Sequence, residues 1–230
     1  MLALVSNFDA RSLFMSPTTP TVFIVDDDPS VRESLEALVE YAGWRCETFA
    51  TARDFLSAPP APGPSCLLLD VGLPDLNGLE LQERIGSDRS DMPIIFITGN
   101  GDIPVTVKAM KAGAVEFLVK PLSQEALLIA MRSAFARSTA QRDLDAADAV
   151  LRARYASLTS REREVMELVT AGMLNKQVGG ELGITEITVK AHRGRVMQKM
   201  QARSLADLVK MTWALNLAPL ERQGDHEQED

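Results

Sequence analysis

Cys66-Leu67-Leu68-Leu69-Asp70-Val71-Gly72-Leu73-Pro74 is the stretch on which the fold turns. Its apolar residues do not alternate with polar ones, the pattern of a strand covered on both faces, and the run stops at a carboxylate, then a glycine and a proline. Asp70 is thereby placed at the C-terminal end of a strand, the edge where open parallel sheets bind ligands. Four more strand-like runs flank it: 21–25 ends in Asp26-Asp27-Asp28, 94–97 at Thr98 and 116–119 at Lys120-Pro121, while 44–49 supplies a further short strand. Helical patterns lie between them, at 29–41 (opened by Pro29-Ser30, broken by Gly43), 52–57, 78–85 and 104–112, the last closed by Gly113. Five strands alternating with helices predict an α/β fold, a doubly wound five-stranded parallel sheet with right-handed crossovers. In strand order 2-1-3-4-5, Asp26, Asp27, Asp70, Thr98 and Lys120 would gather at one edge.

The 230 residues leave room for two small domains. No apolar run approaches a membrane span, and Asp9 and Arg11 interrupt the first twenty residues, which therefore lack the pattern of a secretory signal. A cytoplasmic protein without a membrane partner is expected, with residues 1–20 a disordered extension. Cys46 and Cys66 fall in strand-like runs at no metal-ligand spacing, which suggests buried reduced thiols. The net charge of −8 is unevenly spread: residues 21–135 carry 9 Lys+Arg against 17 Asp+Glu, whereas 158–218 carry 9 against 6. An acidic first half and a basic second half point to different partners.

Neither proline nor glycine occurs from Ser123 until Gly172, and Leu127, Met131, Ala134 and Phe135 form a stripe that would dock a helix on the sheet. Beyond Ala136 the charges alternate while Leu144, Leu151, Tyr155 and Leu158 keep roughly helical spacing, so a linker helix is expected over 136–157, with self-pairing of its stripe one option. Residues 219–230 read as a disordered acidic tail.

Three carboxylates at one sheet edge repel one another and favour a divalent cation with oxygen ligands, Mg²⁺ or Mn²⁺. Beside such a charge Asp70 suits a carboxylate nucleophile that forms an acyl phosphate by in-line displacement. Lys120 offers a positive charge and Thr98 a hydroxyl to the phosphoryl oxygens. Singly, each residue has a plainer reading: helix capping for Asp26–Asp28, a strand end for Thr98, a solvated lysine for Lys120. Five such coincidences gathered from four separate strand ends argue for the joint reading.

The motifs Val25-Asp26-Asp27, Leu69-Asp70-Val71-Gly72-Leu73-Pro74, Ile97-Thr98-Gly99 and Val119-Lys120-Pro121 resemble the receiver domain of two-component response regulators, over residues 21–135. The resemblance implies a flavodoxin-like fold with Asp70 as phosphoacceptor. It implies Asp27, Asp70 and the Gly72 carbonyl as direct Mg²⁺ ligands and Asp26 as a ligand through water. It further implies Thr98 and Phe117 as a switch pair, the hydroxyl swinging toward the phosphoryl group and the ring turning into the space left. Gly72 is small for a site that often carries a bulkier side chain, and it leaves access for water. The wording of 98–104 and 109–114 is similar to the FixJ branch, including styrene-responsive regulators, whose members dimerise through the fourth helix and fifth strand when phosphorylated. Val107, Lys111 and Glu116 fall on the matching surface.

In residues 158–218, Thr159 with Glu162 presents a capped helix start, expected to run to Ala171 before Gly172. Asn175 is expected to cap a second helix through Leu182, and Thr185 a third that runs to about Gln201, which together make a helix-turn-helix. At 100° per residue, Val189, Val196 and Met200 of the third helix share a core stripe with His192 at its edge. Opposite them lie Ile187, Lys190, Ala191, Gly194 and Gln198, flanked by Arg195. A cation beside small residues suits insertion into a major groove, with Lys190 and Arg195 within reach of bases or phosphates, while Arg193, Lys199 and Arg203 lie toward the sides for phosphate contact. Leu158-Thr159, Leu182-Gly183-Ile184, Thr188-Val189-Lys190 and His192-Arg193 resemble the LuxR-type DNA-binding domain of FixJ/NarL regulators, in which Lys190, Ala191 and Gly194 match positions that contact DNA. Gly179, where that family usually has alanine, and Gly180 are expected to weaken the second helix.

The expectation is a transcription regulator and no conventional enzyme. A cognate sensor histidine kinase phosphorylates Asp70, whose own slow dephosphorylation is the remaining chemistry; the chain then forms a homodimer, binds promoter DNA and acts on RNA polymerase. Two rivals stand beside it, a dimerisation module indifferent to phosphate and a metal-dependent phosphatase. The phosphatase lacks an evident general acid, since neither His192 nor His226 lies in the acidic half.

Overall fold

The structure is a computed structural model that describes residues 19–86, 89–99 and 101–217. The expectations for residues 1–18 and for the tail at 219–230 lie outside the described residues. Contacts divide the chain into two compact units, one up to Asp143 and one from Leu144.

In the first unit β1 (Thr21–Val25), β2 (Arg45–Phe49), β3 (Ser65–Asp70), β4 (Ile94–Thr98) and β5 (Glu116–Val119) alternate with α1 (Pro29–Tyr41), α2 (Ala52–Ser57), α3 (Gly78–Ile85) and α4 (Ile103–Lys111). The strands pair in parallel in the order β2-β1-β3-β4-β5, as expected. Period-two alternation sends Val22, Ile24, Cys66, Leu68, Ile95 and Ile97 to one face, where they pack with Leu35 and Val39 of α1 and with Leu127 and Met131. Phe23, Val25, Leu67, Leu69 and Phe96 face the other way, onto Phe55, Leu81 and Ala109 of α2, α3 and α4. Both faces are therefore dry, which is why these strands lack alternation in the sequence. The long helix α5 (Gln124–Ala156) begins in this unit, and the Leu127, Met131, Ala134 and Phe135 stripe is buried as expected.

The first unit reaches past the expected boundary at residue 135. The buried Ser138 hydroxyl accepts the Ser65 N–H at 3.0 Å, and Arg142 donates to Asp91 Oδ2 at 2.6 Å and to the Pro62 carbonyl at 2.9 Å. Cys66 is buried and Cys46 only partly so; both are free thiols. Burial, then the charges of Glu36, Glu40 and Glu47, pushes the Cys46 thiol up to about 12.

The second unit is all helical: the end of α5, then α6 (Ser160–Thr170), α7 (Asn175–Leu182), α8 (Glu186–Met200) and α9 (Leu205–Ala214). Leu151, Tyr155 and Leu158 of the expected linker stripe pack into its core with Met166, Val196, Met200 and Leu208, whereas Leu144 and Val150 are exposed. The α6 start is the expected capping box of Thr159 and Glu162. Asn175 does not cap α7. It is the first helical residue, Leu174 precedes it, and the Leu174 N–H is instead met by Gln177 Oε1 at 2.8 Å.

Candidate functional site

The edge formed by the ends of β1, β3, β4 and β5 collects the polar residues picked out in the sequence. Asp26 and Asp70 are buried, and both accept from the Lys120 ammonium, at 2.7 Å to Asp26 Oδ2 and 3.0 Å to Asp70 Oδ1. Two buried carboxylates in one pocket would repel each other, and the shared cation offsets that cost. Burial alone would lower the lysine's affinity for its proton, but hydrogen bonds and charge from both aspartates raise it above the usual lysine range. The remaining oxygens are held by the backbone. Asp70 Oδ2 accepts the Gly72 N–H at 2.6 Å, and Asp26 Oδ1 accepts the Asp28 N–H at 3.0 Å. Lys120 is itself fixed to the neighbouring strand end, its N–H donating to the Thr98 carbonyl at 2.7 Å, and the peptide bond that follows it, Lys120–Pro121, is cis.

Thr98 is buried at the end of β4. Phe117 is half-buried on β5, its ring centroid 6.0 Å from that of Phe96. Asp27 is exposed. Among the described residues no group of three or more His, Cys, Asp or Glu side chains is close enough to hold a metal ion, so the expected meeting of Asp26, Asp27 and Asp70 around one cation is not present in this arrangement. The physical reason is that Lys120 already sits between two of the carboxylates while the third faces solvent. In chemistry the set still suits a hard cation, since oxygen donors dominate and the two carboxylates outnumber the single ammonium.

Three residues around this edge escaped the sequence reading. Arg32 of α1 donates to the Asp26 carbonyl at 2.6 Å. Gly78 opens α3 directly under the phosphoacceptor candidate: a Cβ there would lie 2.7 Å from the Asp70 carbonyl oxygen, so only glycine allows the approach. Asp75 accepts the Ala52 and Arg53 N–H groups at the start of α2, and although its burial acts the other way, these bonds lower its pKa. The turn-rich run Pro74-Asp75-Leu76-Asn77-Gly78 was the available signal.

Val107, Lys111 and Glu116 are all exposed on α4 and β5, and Ile103, Met110 and Val119 expose further apolar surface there. The edge position of β5 in the sheet leaves this face uncovered by any strand.

In the second unit Val189, Val196 and Met200 are buried as their spacing requires, and Ile187, Lys190, Ala191, Gly194 and Gln198 are exposed on the opposite side of α8. Arg195 is exposed as well. Lys190 pairs within its helix to Glu186 at 3.0 Å. Two expected phosphate contacts are engaged elsewhere. Lys199 binds Glu162 Oε2 at 2.6 Å and the Ser157 carbonyl at 3.1 Å, because Glu162 is buried and needs a counter-charge. Arg193 donates to Asn175 Oδ1 at 3.1 Å, joining α8 to α7. Arg161 likewise reaches the Leu182 carbonyl at the end of α7. Gly179 is forced by the tight turn, since a Cβ there would lie 2.8 Å from the Ile184 carbonyl oxygen, whereas Gly180 faces open space. The left-handed Gly183 closes α7.

Comparison with known proteins matches both units. Residues 22–132 match the family described as "Response regulator receiver domain", and residues 156–212 match "Bacterial regulatory proteins, luxR family". The chain is 47% identical over 201 residues to nodulation protein W of Bradyrhizobium diazoefficiens, covering 87% of this chain and 88% of that one. It is 40% identical over 190 residues to the transcriptional regulatory protein FixJ of the same organism, covering 83% and 93%. The solved structure of the response regulator StyR superposes with a TM-score of 0.74 at 47% identity, over 85% of this chain and 98% of that one.

Proposed function

Because the chain belongs to the response regulators that join a receiver domain to a luxR-family DNA-binding domain, and so is a regulator of transcription, we propose that phosphoryl transfer to Asp70 controls its binding to promoter DNA. The observation that carries this reading is the pair of buried carboxylates held by one ammonium at the sheet edge. An Asp70 oxygen attacks the phosphorus of a phosphohistidine on the cognate sensor kinase. The P–O bond forms as the P–N bond breaks, and the electron pair leaves with the imidazole nitrogen. Lys120, already on Asp70 Oδ1, is placed to share its charge with the arriving phosphoryl oxygens. A Mg²⁺ ion, when bound, would neutralise phosphoryl charge; Asp27, Asp70 and the Gly72 carbonyl would hold it, with Asp26 behind a water.

Thr98, at the buried end of the neighbouring strand, and Phe117, half-buried beside Phe96, form the switch that passes the new charge to α4 and β5. The exposed face of Ile103, Val107, Met110 and Val119, with Lys111 and Glu116 for cross-pairing, then joins two copies about a two-fold axis. Two α8 helices meet paired half-sites, Lys190, Ala191, Gly194 and Arg195 toward the groove, and the bound dimer recruits RNA polymerase in the cytoplasm. Among the described residues no helix is long and apolar enough to cross a membrane. Hydrolysis returns the protein to its resting state. Gly72 favours it, because a Cβ at that position would stand 3.2 Å from Asp70 Oδ2 and a glycine leaves that approach to water. A nuclease-protection footprint with beryllofluoride and Mg²⁺ is expected to show stronger, symmetric protection than without them; identical footprints would rule out phosphate control.

A further inference from the structure

Ile187 is 80% exposed at the second position of α8, on the side opposite the buried Val196. Packing within the unit therefore does not account for an isoleucine there. It heads a stripe at i, i+3, i+4 and i+7 that continues through Lys190, Ala191 and Gly194, all exposed, and a Cβ on Gly194 would meet nothing within 4 Å. The stripe is open along its length, so a duplex groove can approach it closely. Its only charged member, Lys190, is a cation whose pairing to Glu186 is an exposed contact within the helix, of the kind that contributes little. The exposed Arg195 lies beside the stripe, so the surface suits a polyanion better than an apolar protein partner.

Resting on the reading of α8 as the helix that enters DNA, we infer that Ile187 is a specificity residue that contacts the 5-methyl group of one thymine in each half-site. Residues in the first turns of such a helix are the ones that reach base edges. Isoleucine carries neither donor nor acceptor, so it cannot read the hydrogen-bonding pattern of a base. Among the groups that base pairs display in the major groove, the thymine methyl is the apolar one, and burying it against Ile187 removes two apolar surfaces from water at once. Lys190, one turn on, then reads or neutralises the neighbouring position, and the small Ala191 and Gly194 let both come close.

The test uses the full chain with beryllofluoride. Preferred duplexes are selected from a random pool, and each thymine of the half-site is then replaced singly by deoxyuridine, which pairs identically but lacks the methyl. Removing the contacted methyl is expected to weaken the unaltered protein about fourfold, the effect of one buried carbon, at one thymine in the half-site. Ile187→Ala, a surface change whose folding is checked by its thermal midpoint, is expected to bind the thymine duplex correspondingly less tightly and to lose nothing further on deoxyuridine. Insensitivity of the unaltered protein to every deoxyuridine, equal sensitivity in Ile187→Ala, or unchanged affinity of Ile187→Ala overturns the assignment while leaving DNA binding intact. A selection that returns no preferred sequence overturns the DNA reading and this inference together.

Discussion

At the sheet edge of the receiver, Asp26 and Asp70 are shielded from water and share the partly solvated Lys120 ammonium, while on α8 of the second unit Lys190 and Arg195 are exposed and the partner of Lys190 is Glu186 on its own helix. A site that remakes a covalent bond to a small group gains from charges fixed before the group arrives. A site that reads a long polyanion must keep its cations at the surface, where the partner can reach them. The same residue type thus has opposite energetic standing in the two units: removing Lys120 should act on stability first, and removing Lys190 on binding alone.

That contrast can be broken most forcefully at Lys120. Lys120→Met leaves two buried carboxylates without their shared cation and is expected to lower the stability of the first unit by about 2 kcal/mol, below the value for a fully buried pair because the ammonium is partly solvated. Urea denaturation followed at Trp44, which packs on Phe135 at 5.0 Å, reads this unit. An unchanged midpoint would mean that the pocket charges are not coupled.

Next in size is Glu162, the second unit's one buried carboxylate among the described residues. Glu162→Ala removes both the α6 capping box and the partner of Lys199, and should cost about 1–2 kcal/mol. A hydrogen bond from Lys199, then one from the Thr159 N–H, holds this carboxyl below the ordinary glutamate value of 4.5. Its stabilisation is therefore complete above pH 4.5 and lost as pH falls through the lowered folded value. Lys120 behaves oppositely: its raised folded value gives stability complete below the ordinary lysine value of 10.5, lost as pH rises through the folded one. Melting at acid and alkaline pH, with Trp44 reporting one unit and Trp213 the other, should show acid loss from the Glu162 pair in the second unit and alkaline loss from the Lys120 pair in the first.

A smaller effect separates two adjacent glycines. Gly180→Ala, in open space, should stabilise the second unit by up to about 1 kcal/mol. Gly179→Ala should gain nothing or lose stability, because its Cβ meets the Ile184 carbonyl. The smallest change in stability is expected for Lys190→Ala, within about 0.5 kcal/mol, together with clearly weaker promoter binding and a shallower salt dependence. Equal promoter affinity would remove Lys190 from the interface.

The three central strands were legible because β1, β3 and β4 are buried along their whole length and run into Asp26, Asp70 and Thr98, two signals that need no knowledge of partners. The edge strands β2 and β5 keep exposed residues and were marked instead by their β-rich composition and, for β5, by the Lys120-Pro121 that follows it. The α8 core stripe was legible for a similar reason, since periodicity alone separates Val189, Val196 and Met200 from Ile187 and Lys190. What stayed hidden were engagements across elements. Lys199 looks like any surface lysine until Glu162 is found buried beneath it, and Asn175 looks like a cap until Arg193 claims its oxygen. Local patterns do not encode such pairings, because the partners lie 37 and 18 residues away. The helix α9 also went unforeseen, although Ser204 caps it by accepting the Asp207 N–H at 3.0 Å and the Ser-x-x-Asp spacing was available.

The account stands most directly on the reactivity of Asp70. Incubating the full chain with acetyl phosphate and Mg²⁺, followed by mass spectrometry of the peptide that contains residue 70, is expected to show one added phosphoryl group, absent in Asp70→Asn. Label that persists in Asp70→Asn, or none in the unaltered protein, would contradict it.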